Sequence, residues 1–346
     1  MKSQSATRPQ DTRMFREAAE APAAVARLLA ANREAADALG AELRALKPRA
    51  VVTCARGSSD HAATYAKYLV ETGTGIPTSS AALSVSSVYA TEPQLEGVLY
   101  LAISQSGKSP DLLSAVEAAK RGGALVVALV NDATSPLAAL ADRTLPLHAG
   151  PERSVAATKS YITALAAIAQ LVAAWTQDER LEVALDKLPQ VLARAWELDW
   201  SPAVVRLKHA RNLYVLGRGV GFAVAQEAAL KFKETCGLHA EAFSAAEVLH
   251  GPMALVTTGF PVLVFAQADE SQASVLEMAK GLKARGADVL LAGGPPSDVL
   301  PTLTAYPVLE PVVRIQSFYR MANALALARG LDPDRPPHLN KVTETL

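Results

Sequence analysis

At 346 residues the chain is too long for one ordinary domain and suits two, each large enough to bury a core. Half of its residues are hydrophobic, and 34 Lys plus Arg balance 34 Asp plus Glu, so no net charge draws it to nucleic acid or an anionic membrane, and neither partner is expected. Two isolated cysteines, Cys54 and Cys236, argue against a disulfide framework or a zinc site and fit a reducing compartment.

The opening MKSQSATRPQDTRMFREAAE is charged throughout and lacks the apolar stretch of a secretory signal, so a cytoplasmic location is expected. Residues 14–35 carry alanine, leucine and charge at helical spacing, broken at Pro22, where one helix ends and another begins. β-Branched apolar runs then alternate with helical patterns: AVVTC at 50–54, VLYLAI at 98–103, ALVVALV at 124–130 and TLPL at 144–147. The run from Ile162 to Trp175, interrupted by Gln170, falls short of the roughly 20 residues of a bilayer span and predicts a buried helix. The rhythm returns with NLYVLG at 212–217, PVLVFA at 261–266, ADVLLAG at 287–293 and YPVLEPVV at 306–313. Strand, helix, strand in this order predicts an α/β fold of parallel sheets flanked by helices.

The two halves correspond. Arg56-Gly57 pairs with Arg218-Gly219 and Gln105 with Gln267, both at an offset of 162 residues (219 − 57 and 267 − 105). A duplicated domain follows. The expected layout is a helical preface over 1–35, a first domain over 36–176, a helical linker over 177–205, a second domain over 206–335 and a tail over 336–346.

Ligands of open parallel sheets collect where strands hand over to helices. In the first copy these junctions are ARGSSDH at 55–61 and ISQSGKSPD at 103–111, which gather hydroxyls, glycine and backbone N–H groups at helix starts and suit a phosphate dianion. Ser106 or Ser109 could equally be a simple helix cap. The second copy separates the two readings, because AQADES stands where the first has SQSGKS, placing Ala268, Asp269 and Glu270 opposite Ser106, Gly107 and Lys108. Carboxylates repel phosphate, so the phosphate site is assigned to the first copy: Ser58 and Ser59 with Ser104, Gln105, Ser106 and Ser109.

In the second copy Glu227, Lys231 and Glu234 fall at spacings of four and three, on one face of a helix. A solvated ion pair would produce the same spacing. His250, before Gly251-Pro252, could be a helix end.

These residues carry a family resemblance. RGSS at 56–59, ISQSGKSPD at 103–111, SVAATKSY at 154–161, LGRG at 216–219, ALKFKETCGLHAEAF at 229–243, EVLHGP at 247–252 and the tail LNKVTETL, in that order, resemble the isomerase half of glucosamine-6-phosphate synthase, built from two sugar isomerase (SIS) domains. The resemblance spans nearly the whole chain and implies two tandem SIS domains, each a flavodoxin-like three-layer α/β unit. It also implies roles. Ser59, Ser104, Gln105, Ser106 and Ser109 hold the sugar phosphate, and Val155 contributes a backbone contact to the sugar. Glu234 moves a proton between C1 and C2, with Lys231 beside it and Glu227 as a supporting carboxylate. His250, contributed by the partner of a homodimer with shared active sites, opens the ring, and Lys341 forms a Schiff base with the ketose. Histidine suits proton exchange near neutral pH, a desolvated carboxylate suits carbon acid chemistry, and a lysine amine can form an imine. Neither metal nor nicotinamide cofactor is required.

The sequence departs from the synthase at Ala157, where the family has serine, at Asn340, where it has alanine, and in the VTETL that follows Lys341. No glutaminase domain precedes the isomerase-like part, so the degradative direction is expected: a phosphorylated amino sugar, glucosamine 6-phosphate, deaminated and isomerised to fructose 6-phosphate. The alternatives are a galactosamine-6-phosphate deaminase, a fructosamine-6-phosphate deglycase and a sugar-phosphate sensor without turnover.

Overall fold

A computed structural model describes residues 8–294 and 299–341. Its contacts divide the chain into two compact units, one holding Pro22–Pro151 and Ser160–Pro189, the other holding the described residues up to Ala21 together with Glu152–Lys159 and Gln190–Lys341. Each contains one five-stranded, wholly parallel sheet.

The first sheet comprises β1 (Ala50–Cys54), β2 (Thr78–Ser80), β3 (Val98–Ser104), β4 (Leu125–Val130) and β5 (Arg143–Pro146), in the order β2-β1-β3-β4-β5. β3 is buried along its whole length, as a central parallel strand covered on both faces must be. Tyr100, Ala102, Val126, Ala128 and Val130 pack on Leu112, Ala115 and Val116 of the helix Pro110–Arg121. The predicted buried helix is present as Lys159–Thr176.

The second sheet comprises β6 (Asn212–Gly217), β7 (His239–Ser244), β8 (Pro261–Phe265), β9 (Asp288–Ala292) and β10 (Val299–Leu300), in the order β10-β9-β8-β6-β7. Counted from each copy's first strand, both sheets run second, first, third, fourth, fifth, the flavodoxin-like order. The Arg-Gly turns match as closely: Gly57 has φ 56° and ψ −131°, Gly219 φ 56° and ψ −135°. That left-handed conformation favours glycine in both. The duplicated α/β architecture expected from the sequence is thus the architecture observed.

Two local expectations differ. YPVLEPVV at 306–313 is not a strand; Pro307–Leu309 forms a 3-10 turn and the helix Glu310–Ala328 follows. Pro307 and Pro311 sit at the starts of these elements, where a missing N–H costs nothing, whereas in a central strand each would remove a ladder bond. The charged segment after Glu227 is helical only to Cys236: Gly237, at φ 55°, ends the helix, and His239–Ser244 turns back as β7 alongside β6. The edge strands β2, β7 and β10 lacked the long apolar runs by which the central strands were found.

The break at Pro22 is real, since one helix spans Arg13–Ala19 and the next Ala21–Leu46. Among the described residues no helix is long and apolar enough to cross a membrane.

Candidate active site

The order of the first sheet reverses between β1 and β3, and the loops leaving their carboxyl ends carry the predicted cradle. Ser58 and Ser59 open the helix Ser58–Thr74 behind Gly57, both half-buried. After β3, Ser104 is buried and its Oγ accepts the Gly107 N–H at 2.9 Å, while Ser106 Oγ accepts the Lys108 N–H at 3.4 Å. Gly107 has φ +64°, and a Cβ there would lie 2.3 Å from Ser135 Oγ, so the turn requires glycine. Ser109 precedes the helix Pro110–Arg121, but its side chain does not cap it. The plain capping explanation therefore fails for Ser109.

A contact absent from the sequence reading ties the two loops together. Arg56, beside Gly57, donates through Nε and Nη2 to Oδ2 of Asp111 at 2.9 and 2.8 Å, and Asp111 is buried in the first turn of the second loop's helix. The pair spans 55 residues, so no local spacing announces it. Burial pushes the nearby Asp60 carboxyl above its usual range, with His61 and Arg56 pulling the other way.

The counterpart loop after β8 is closed on itself. Gln267 is fully buried, and its Nε2 donates to Arg218 O at 2.6 Å, Asp269 Oδ2 at 2.9 Å and Ser271 Oγ at 3.1 Å. Asp269 Oδ1 also accepts the Ser271 N–H and hydroxyl. The Gln267 amide N–H groups, Asp269 and Ser271 are thus engaged within the loop and its Arg-Gly neighbour, while Gln267 Oε1 is buried without a partner.

Glu227, Lys231 and Glu234 do meet on one face of the helix Val220–Cys236, and that face is buried. Lys231 Nζ lies 3.4 Å from Glu227 Oε1 and 2.5 Å from Glu234 Oε2. Glu227 is held further by the Tyr319 hydroxyl, which donates to Oε1 at 3.0 Å across 92 residues. Burial opposes the Lys231 ammonium, but the two carboxylates outweigh it and hold the group above the ordinary lysine range. Glu234 alone keeps an opening, its side chain 18% exposed. A solvated ion pair is thus excluded: a buried lysine aims one partly accessible carboxylate.

His250 is exposed at the end of the 3-10 turn Glu247–Leu249, between the exposed side chains of Leu249 and Leu255. The helix-end alternative holds to that extent. Val155 lies in a strap, Glu152–Lys159, that packs in the same unit as the second sheet. Glu17 accepts the N–H groups of Arg153 and Ser154 at 2.6 and 3.0 Å, and Lys159 Nζ pairs with Glu20 at 2.5 Å. Burial, more than the nearby Glu152, raises the Glu17 carboxyl above its usual range. Lys341 is not a frayed charge: its Nζ pairs with Glu152 Oε2 at 3.0 Å. Residues 342–346 of the expected tail lie outside those described.

Among the described residues no group of three or more His, Cys, Asp or Glu could hold a metal. Asp111, Tyr319 and Glu152 are the site-building residues that sequence reasoning missed.

The SIS domain family matches residues 46–174 and 206–306. Glutamine–fructose-6-phosphate aminotransferase (isomerizing) of Thermococcus kodakarensis is 33% identical over 347 residues, covering 95% of this chain and 57% of that protein. The chain spans a little over half the length of this curated relative. A solved structure from Silicibacter pomeroyi, assigned as a phosphosugar isomerase, is 47% identical with a TM-score of 0.90, covering 93% of this chain and 100% of that one. The C-terminal domain of glucosamine-fructose-6-phosphate aminotransferase from Francisella tularensis is 26% identical with a TM-score of 0.84, covering 97% and 100%.

Proposed function

The chain belongs to the SIS domain family, and from that premise we propose that it is an enzyme that converts glucosamine 6-phosphate to fructose 6-phosphate and ammonia. The observation that carries this reading is Glu234: a carboxylate with one opening, fixed from behind by the fully buried Lys231, is arranged to take a proton from carbon and return it to the neighbouring carbon. A protein that only sensed sugar phosphate would not need such a base.

In the proposed roles Ser58, Ser59, Ser104, Gln105, Ser106 and Ser109 bind the phosphate, and the Arg56–Asp111 pair holds their two loops in register. Glu234 shuttles the proton, Lys231 orients it and Glu227 with Tyr319 anchors Lys231. His250 opens the ring from the partner of a homodimer, a reading supported by its exposure between two exposed leucines. Val155 contacts the sugar and Lys341 supplies the amine. Deamination needs only water as its second substrate. The Thermococcus kodakarensis relative is by name an aminotransferase, and the deaminating direction is proposed for this chain alone.

The test is a panel of glucosamine, galactosamine and fructosamine 6-phosphates incubated with the purified chain and chelator, with ammonia and ketose both measured. Ammonia and fructose 6-phosphate in equal amounts from glucosamine 6-phosphate are expected. Interconversion of glucose 6-phosphate and fructose 6-phosphate, run alongside the panel, with no ammonia from any amino sugar would replace the reading by simple isomerisation, and turnover confined to another sugar would move the substrate. Binding without turnover of any of them would leave a sensor.

A further inference from the structure

The strap Glu152–Lys159 is held by carboxylates, because its own hydroxyls do little to hold it. Ser154 Oγ and Thr158 Oγ1 are both buried without a hydrogen-bond partner. What anchors the strap is a set of carboxylates: Glu17 at Arg153 and Ser154, Glu20 at Lys159, and Glu152 at its head. Glu152 is fully buried, and its two oxygens face in different directions. Oε1 accepts the Thr158 N–H at 3.0 Å, closing the strap into a loop, and Oε2 accepts Lys341 Nζ at 3.0 Å, reaching 189 residues along the chain.

A buried carboxylate without a counter-charge is costly, so it holds whatever cation it has found. The lysine is not similarly constrained by burial: its side chain is 23% exposed, so without a partner it would be solvated. The pair therefore acts in one direction, with the strap fixing the lysine. Val155 lies on the same loop, between Glu152 and Thr158 in sequence.

We propose that Glu152 is a positioning residue for Lys341, docking its amine against the strap that carries Val155. The role in turnover rests on the reading that Lys341 acts on the sugar; the docking itself does not.

Trypsin supplies a direct probe, since cleavage after Lys341 needs that side chain to leave Glu152 and enter the protease. Cleavage of a native protein tracks the population of the open form. With the full chain and mass spectrometry, Glu152→Gln is expected to speed cleavage at Lys341–Val342 by about tenfold, the equivalent of about 1.4 kcal/mol of docking, with Glu152→Asp between it and the parent. Equal cleavage rates in parent and Glu152→Gln, at matched melting temperature, would overturn the proposal. Should Glu152→Gln not fold, Glu152→Asp against the parent decides in the same way.

The turnover arm is a double-mutant cycle on kcat with Glu152→Gln and Lys341→Met. If Glu152 acts through Lys341, the double variant is no slower than the slower single one; if Glu152 only supports the fold, the losses add. A parent that turns over none of the sugar phosphates refutes the function above and leaves the trypsin result standing. In an active parent, additive losses refute the positioning role in turnover, and unchanged cleavage refutes the docking itself.

Discussion

The loops after β3 and β8 descend from one position in a repeated domain and have taken opposite paths. Both follow a buried strand, both stand beside an Arg-Gly turn of the same conformation, and both carry a glutamine at an offset of 162 residues (267 − 105). In the first, Gly107 allows a tight turn, the serine hydroxyls keep donors available and Gln105 is half-buried. In the second, Gln267 is fully buried and Asp269 binds its own loop. The backbone device is the same in both, while a few side chains decided whether the loop's polar groups stay available or bind one another. The second copy carries a buried charged cluster, Glu227, Lys231 and Glu234, on the helix behind its Arg-Gly turn.

The largest effect that would break this division is at Lys231. Lys231→Met removes the ammonium 3.4 Å from the buried Glu227, and removing one partner of a buried pair costs about 3 to 5 kcal/mol. Urea unfolding should show it, and a loss below 1 kcal/mol, on the order of a surface pair, would return the cluster to the solvated class. Glu234→Gln keeps the shape and the Glu227–Lys231 pair, so stability should change little while kcat falls by a factor on the order of 100. Near-normal turnover would point to Glu227 as the base.

A smaller pair of effects sharpens the contrast between the loops. Ser104→Ala or Ser106→Ala should weaken sugar-phosphate binding by about 1.5 to 3 kcal/mol in calorimetry, a hydrogen bond to a charged group being lost. Gln267→Ala should leave that binding intact and lower stability by about 1 to 3 kcal/mol, because Asp269 and the Arg218 carbonyl lose a buried donor. Weakened binding in Gln267→Ala with no loss of stability would reverse the assignment of the two copies. The smallest effect is at the cysteines. Burial pushes the Cys54 thiol up to about 12 and the Cys236 thiol up to about 11, so iodoacetamide at pH 8 should leave both unmodified in the native protein and alkylate both in urea. Rapid native labelling of Cys54, which lies at the end of β1, would mean that the first copy opens locally.

Much of the fold was legible because its signals are local. The central strands announced themselves by apolar runs, the copies by repeated Arg-Gly and Gln landmarks, and the break at Pro22 by proline's missing donor. Less visible were the short edge strands, which carry little apolar patterning, and residues 306–313, where β-branched residues suggested a strand and two prolines decided for a turn and helix.

The site divides along the same line. Helical periodicity by itself determined that Glu227, Lys231 and Glu234 share a face, since spacings of four and three do so in any helix. Only the tertiary structure decided that this face is buried, that Tyr319 completes it from 92 residues away, and that Asp111 and Glu152 bind Arg56 and Lys341 across 55 and 189 residues. A side chain's neighbours within one helix are set by the backbone's own geometry, whereas its burial and its distant partners exist only once separate segments have packed and excluded water.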